Sequence, residues 1–190
     1  MKKATAVAFS AVLFAAVPAR AEGSAQGPAY VQGTVGLSFW DFPHIQIFGP
    51  VATSYSWTGF NPTIEFGYHF QGRHDGIMLG IRQGFSITAI NVGPRAAGTT
   101  SARLGYDFAF KAGSFELNVD PFATIGAGYV FDGPSAGIET TGGIDVKLFL
   151  TKGFYVVARP AELGIQCFHD SGNCAFAYLA GAGAGFAFGN

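Results

Sequence analysis

The sequence predicts an all-β fold, an eight-stranded antiparallel up-and-down transmembrane β-barrel that follows a cleaved signal peptide. Three observations support this prediction. Bulky apolar residues alternate with charged, polar or glycine residues in eight segments. Short and long connections alternate between these segments, and a secretory signal precedes them. A period of two residues is what a membrane strand requires, because successive side chains face lipid and lumen in turn.

Residues 1–21 have the pattern of a secretory signal peptide. Two lysines precede an uncharged apolar run over residues 4–17, and the small residues Ala19 and Ala21 mark a cleavage site. The run is shorter than the ~17 to 25 residues of a membrane-spanning helix, so we expect cleavage after Ala21 rather than an anchor. The remaining residues, 22–190, then form one domain.

Each alternating segment predicts one strand. In the clearest example Leu104, Tyr106 and Phe108 share one face, while Arg103 and Asp107 share the other. A tilted membrane strand needs ~9 to 11 residues, and every segment reaches that length. The predicted strands are 30–41, 60–71, 76–88, 100–111, 114–131, 138–151, 154–167 and 174–188.

The seventh segment breaks the alternation. Arg159 and Glu162 are separated by an odd number of positions, so both face the lumen only if the strand contains an extra residue. Pro160 lies between them and has no N–H for the strand ladder. We therefore predict a β-bulge around Pro160.

The predicted connections alternate in length. Short turns are expected at 72–75, 112–113 and 152–153, and longer loops at 42–59, 89–99, 132–137 and 168–173. In membrane barrels the short turns are periplasmic and the longer loops face the cell exterior. Aromatic residues concentrate near both predicted strand ends, where such barrels carry interfacial girdles.

Over residues 22–190 the chain resembles the small eight-stranded outer-membrane barrels of the OmpA transmembrane-domain, OmpX and OmpW kind. The resemblance includes the closing segment 182–188, which is similar to the aromatic-ended signal read by the barrel assembly machinery. It departs at Gly189 and Asn190, which follow the last aromatic residue. The resemblance implies location in the bacterial outer membrane, contact with its lipid and lipopolysaccharide, and insertion by that machinery.

Charged residues of inward parity are the candidate interior site. An eight-stranded barrel has room inside only for side chains or one small ligand, so we expect these charges to form an ion-paired plug. A catalytic carboxylate pair or a cation path is the alternative. Three inward glycines of the last strand, including Gly185, leave space that Arg103 or Phe122 is expected to fill. The expected interior network is Glu65, Arg82, Arg103, Asp107, Glu116, Asp145, Lys147, Arg159 and Glu162.

The two cysteines, Cys167 and Cys174, flank the last outer loop. Export to an oxidising compartment and their position at the two ends of a hairpin predict a disulfide. The alternative is a metal site formed by both cysteines and His169, which would still need a fourth ligand. We expect no metal and no other cofactor.

The expected function is non-enzymatic: surface interaction, adhesion or envelope integrity, with loops 42–59 and 168–173 as candidate sites for an extracellular ligand. Without the signal the chain carries 8 basic and 12 acidic residues, so no nucleic-acid partner is expected. One alternative is OmpW-like passage of small hydrophobic compounds, with apolar residues of the first loop as the entrance. Another is lipid A modification by a deacylase-like pair, with Ser171 as nucleophile and His169 as base.

Overall fold

The computed structural model describes residues 28–42, 55–70, 76–90, 93–112, 115–131, 136–169 and 174–189. The predicted signal peptide lies outside these residues. The described chain forms a closed barrel in which neighbouring strands are antiparallel and β8 pairs back onto β1. The strands are β1 (Ala29–Phe42), β2 (Tyr55–His69), β3 (Gly76–Ile90), β4 (Gly93–Ala112), β5 (Phe115–Val130), β6 (Ala136–Phe149), β7 (Phe154–Phe168) and β8 (Cys174–Phe188).

The all-β prediction and the predicted strand number are confirmed. We call the end that carries the β2–β3, β4–β5 and β6–β7 connections the turn end, and the opposite end the loop end. The turn end is the predicted periplasmic side. Within the described segments no helix is long and apolar enough to cross a membrane.

Two predicted connections at the loop end are wrong in extent. β4 begins at Gly93 rather than at residue 100, so the predicted loop 89–99 is mostly strand. β2 likewise begins at Tyr55 rather than at residue 60. The missed part of β4 contains glycine, proline and alanine, which have weak strand propensity by themselves. It is strand because it pairs residue by residue with β3, for example Ala96 with Ile87.

The outward face of the barrel is apolar and the inward face is polar. Leu104 is 56% exposed, whereas its neighbour Arg103 is 1% exposed. A soluble β-protein would have the opposite arrangement, with large apolar groups buried and charges in water. Exposed aromatic residues lie near both ends. They are Phe70, Phe110, Phe115 and Phe188 at the turn end, and Phe39, Phe60, Phe131 and Phe176 at the loop end.

The predicted bulge in β7 is confirmed. The register of β7 with β8 shifts between Arg159 and Glu162, and its register with β6 shifts at the same place. Both charged side chains are consequently buried in the lumen. Pro160 faces outward, and its carbonyl accepts a hydrogen bond of 2.9 Å from the Tyr178 hydroxyl.

The inner face of β8 is occupied differently from the prediction. The ring of Tyr155, rather than Arg103 or Phe122, lies against Gly185. It fills the space that a Cβ at position 185 would occupy. Phe122 instead packs against Gly143 of β6. Tyr155 reaches Gly185 because the two residues are direct partners in the β7–β8 ladder.

The exposed apolar row gives a direct test of membrane embedding. Leu104→Arg, midway along β4, is expected to lower the free energy of unfolding in lipid vesicles by about 2 to 4 kcal/mol, because it places a charge near the bilayer centre. Phe110→Arg, at the turn end of the same row, is the matched control and is expected to cost about 0 to 1 kcal/mol. Urea titration read by heat-modifiable gel migration measures both. Equal losses would contradict the embedding.

Candidate functional site

The lumen is crossed by a network of buried charged side chains that centres on Arg103 of β4. Its guanidinium contacts the carboxylates of Glu65, Asp120 and Asp145, the last at 3.0 Å. The guanidinium carbon also lies 3.9 Å from the ring centroid of Phe122, a cation–π distance. Arg103 thus joins β4 to strands β2, β5 and β6.

Arg159 is the second centre of this network. Its Nε and Nη2 donate to Asp145 at 2.7 and 2.9 Å, and Nη2 also donates to Glu65 at 2.7 Å. Its Nη1 donates to Glu162 at 3.2 Å. The β7 bulge makes this last contact possible, because it turns both residues inward.

Arg82 of β3 extends the network towards the loop end. It contacts Glu162, and its Nε lies 3.6 Å from Glu65. Glu65 therefore interacts with all three arginines. Such sharing is favourable because a buried carboxylate is tolerated only where cations and hydrogen bonds replace its water.

Towards the turn end the network continues through Lys147 and His69. Lys147 Nζ lies 2.8 Å from Asp107 and 3.0 Å from Asp120. His69 Nε2 lies 2.7 Å from Asp107, while its Nδ1 and its backbone N both face the carbonyl of Pro28, at 3.1 and 2.7 Å. These contacts attach the start of β1 to the end of β2.

Two neutral side chains link β1 to this network. The Tyr155 hydroxyl donates to Gln32 Oε1 at 3.1 Å, and Gln32 Nε2 donates to Asp145 at 2.9 Å. The Tyr30 and Tyr155 rings lie 5.4 and 6.0 Å from the ammonium group of Lys147. Strands β1 to β7 all contribute side chains, whereas the inner face of β8 offers only small residues and Leu179.

Eight of the nine predicted interior residues lie in this network. Glu116 does not: it is half-buried beside the β4–β5 turn, where its backbone pairs with Lys111. Asp120 and His69 belong to the network but were not predicted as members. The alternation that turns Glu116 inward also turns Asp120 inward. The alternation alone was therefore enough to predict Asp120 as an interior residue.

Nearer the loop end the lumen is lined mainly by neutral polar groups. Thr124 and Thr141 share a hydrogen bond of 2.7 Å between their hydroxyls. Ser101 and Gln166 are also buried at this level, together with the acid Glu139. No group of three or more His, Cys, Asp or Glu side chains suited to a metal ion occurs among the described residues.

Cys167 and Cys174 form a disulfide across the start of the β7–β8 hairpin, with their Cα atoms 4.0 Å apart. Because both sulfurs are used in this bond, the alternative metal site with His169 loses its thiolates. The backbone N–H of His169 donates to the carbonyl of Ala136 at 2.9 Å. Ser171, the proposed nucleophile, lies outside the described residues.

Arg103→Met tests how much the network contributes to the free energy of unfolding. Loss of this guanidinium leaves Glu65, Asp120 and Asp145 with fewer cations, and removal of one member of a buried ion pair typically costs about 3 to 5 kcal/mol. We expect that loss in urea titration of the protein in vesicles. Lys152→Met, at an exposed turn residue, is the control and should leave the midpoint unchanged. A midpoint for Arg103→Met equal to the control would argue against a stabilising role.

The disulfide is expected to stabilise the hairpin by restricting the unfolded chain. For cysteines seven positions apart, the chain-entropy estimate is about 2 to 3 kcal/mol. Addition of reductant should therefore lower the urea midpoint of the wild-type protein. The double variant Cys167→Ser, Cys174→Ser should start from the lower midpoint and show no response to reductant. An unchanged wild-type midpoint after verified reduction would refute the expectation.

Comparisons of the chain with known proteins agree with this architecture. No protein-family model matches the sequence, and no curated protein matches it. Neisserial surface protein A has a solved structure that superposes with a TM-score of 0.64 and 15% identity, covering 84% of this chain and 97% of that one.

Two further solved structures are similar at lower scores. Ail of Yersinia pestis matches with a TM-score of 0.44 and 13% identity, over 84% of this chain and 99% of that one. OprG of Pseudomonas aeruginosa matches with a TM-score of 0.42 and 12% identity, over 88% and 99% respectively. With its closed strand order, apolar outer face and charged lumen, the chain has the fold of a small eight-stranded outer-membrane β-barrel.

Proposed function

We propose that this barrel is a non-enzymatic, non-conducting membrane scaffold that holds its outer hairpins at the cell surface for interaction, adhesion or envelope integrity. The observation that carries the proposal is the buried ion-paired network across the lumen. Its members are nearly inaccessible to solvent and contact one another from opposite walls. A lumen filled in this way serves stability rather than transport.

The links across the barrel support a closed lumen. Arg159 on β7 donates a hydrogen bond to Glu65 on β2, and Gln32 on β1 donates one to Asp145 on β6. A passing ion or solute would have to separate such pairs, leaving buried charges without partners at a cost of several kcal/mol each. A hydrophobic compound would gain no contact with this polar layer in return. OmpW-like passage through the lumen is therefore disfavoured.

The lumen carboxylates also argue against catalysis inside the barrel. Asp107, Glu65 and Glu162 each contact at least one arginine or lysine. A general acid or base must instead reach the substrate proton. For the deacylase alternative, Asp170 follows His169 directly, which is a poor position from which to orient its imidazole.

The loop end supports a role in surface presentation because its rim is uneven. β2 continues beyond its first pair with β3, Thr58 with Ala89, and β4 is strand for several residues before Ala97 pairs with β5. At the loop end β4 thus extends beyond β5. The β7–β8 hairpin carries the disulfide that fixes its end.

Planar-bilayer recording tests the closed lumen. The reconstituted wild-type protein is expected to give no discrete conductance steps, because the ion pairs seal the lumen. Arg82→Ala combined with Arg159→Ala removes two guanidinium groups that fill the cross-section and should give measurable steps, with folding verified by heat-modifiable migration. Lys152→Ala is the control and should remain silent. Regular steps in the wild-type protein would overturn the proposal, and binding of cells or matrix by loop-replaced variants would then test the surface role separately.

A further inference from the structure

The ring of His69, at the turn end of β2, is buried between two hydrogen-bond acceptors. Its Nε2 lies 2.7 Å from Asp107 Oδ2, and its Nδ1 lies 3.1 Å from the carbonyl oxygen of Pro28. A carbonyl oxygen and an ionised carboxylate both accept hydrogen bonds and donate none. A neutral imidazole has a hydrogen on one nitrogen only, so it would turn a lone pair towards one of these oxygens. An imidazolium, with a hydrogen on each nitrogen, satisfies both contacts.

The groups packed around the ring place the proton on His69 rather than on Asp107. Lys147 Nζ of β6 donates to both oxygens of the Asp107 carboxylate, at 3.0 and 2.8 Å, so this carboxylate is held in its ionised form. On the β1 side the ring of Tyr30 lies 5.6 Å from the His69 ring, between centroids. On the β3 side the ladder partner of His69 is the neutral residue Met78.

The charge of the lumen network supports the same assignment. Four basic side chains, three arginines and Lys147, face five carboxylates in the network. The carboxylates are those of Glu65, Asp107, Asp120, Asp145 and Glu162. An imidazolium at position 69 makes the positive and negative charges of this network equal, as a water-poor interior requires. Glu139 is not counted, because it lies nearer the loop end and forms no ion pair with the described members of the network.

The carbonyl that faces Nδ1 lies where the barrel closes. Pro28 directly precedes β1, which pairs with β2 on one side and with β8 on the other. The Pro28 carbonyl also accepts the backbone N–H of His69, at 2.7 Å. A Cβ on Gly189, just after β8, would lie 3.2 Å from Pro28 Cδ. A change at the His69 ring therefore acts on the first residue of the strand that closes the barrel.

We propose that His69 is a proton-binding site whose imidazolium fastens the start of β1 to the network, an arrangement that we call the His69 latch. When the proton leaves, the remaining hydrogen stays on Nε2, because the charged Asp107 is the stronger acceptor, and the Nδ1 contact with Pro28 is lost. The latched state binds the proton, so the latch is complete at acidic pH and weakens as the pH rises. The proposal goes beyond the scaffold function, since the arginines fill the lumen in either state.

The proton on the ring can be observed directly. The variant His44→Gln, His74→Gln, His169→Gln leaves His69 as the one histidine, and long-range ¹H–¹⁵N correlation in detergent micelles distinguishes imidazolium from each neutral tautomer. The imidazolium pattern is expected at about pH 5, and the tautomer with hydrogen on Nε2 is expected after the pH is raised. A neutral ring at about pH 5 would overturn the proposal.

Amide hydrogen exchange at Ala29, Tyr30 and Val31 tests the latch itself. After correction for intrinsic exchange, opening of these amides is expected to be about tenfold more frequent at about pH 8 than at about pH 5, with a midpoint that matches the ring titration. His69→Gln cannot take up the proton and should show the frequent opening at both pH values. The matched control is His169→Gln, at an exposed loop-end histidine, which should keep the wild-type response.

Two results of the exchange experiment contradict the latch. One is wild-type opening at the start of β1 that does not depend on pH, and the other is an equal pH response in His69→Gln. If His69→Gln does not fold, the comparison of the wild-type exchange midpoint with the ring titration decides the question, and midpoints that differ would refute the proposal.

Discussion

The requirement that charge inside a narrow, water-poor tube be neutralised locally governs this structure. An isolated ion transferred from water to such an interior loses far more hydration energy than one neighbour returns. Arg103, Glu65 and Asp145 meet the requirement by sharing: each contacts two or more oppositely charged groups on different strands. The charges therefore cross-link the wall through its centre, in addition to the hydrogen bonds that run around it.

The outer surface obeys the complementary requirement. Hydrocarbon offers no hydrogen-bond partner, so backbone groups are satisfied by closure of the sheet and side chains are apolar. The two requirements act on alternate residues of the same strand. This explains why small residues accumulate where the interior is crowded, as at Gly185 beside Tyr155 and Gly143 beside Phe122.

Much of this arrangement could be predicted from the sequence, because apolar and polar residues must alternate in a strand that has lipid on one face and the lumen on the other. Strand identity, the inward positions of Arg103 and Asp145, and the Cys167 to Cys174 bond all follow from parity or chain position. The beginning of β4 did not, because residues such as Pro94 and Gly98 have little strand preference and form a ladder only where β3 offers one. The contacts of His69 were also beyond the sequence, since parity turns its ring inward but does not say which acceptors the ring reaches.

The extra residue in β7 has a consequence for how this wall tolerates change. In a strand with strict alternation, a single insertion or deletion turns every following side chain to the opposite face of the sheet. The bulge at Arg159 and Pro160 is such a shift. Odd-numbered residues of β7 face the lumen before the bulge, and even-numbered residues face it afterwards. Length changes elsewhere in the strand would send polar groups into the acyl chains, whereas a second change that restores the phase would cancel the first. A change in the length of β7 is thus tolerated only together with a second, compensating change in length.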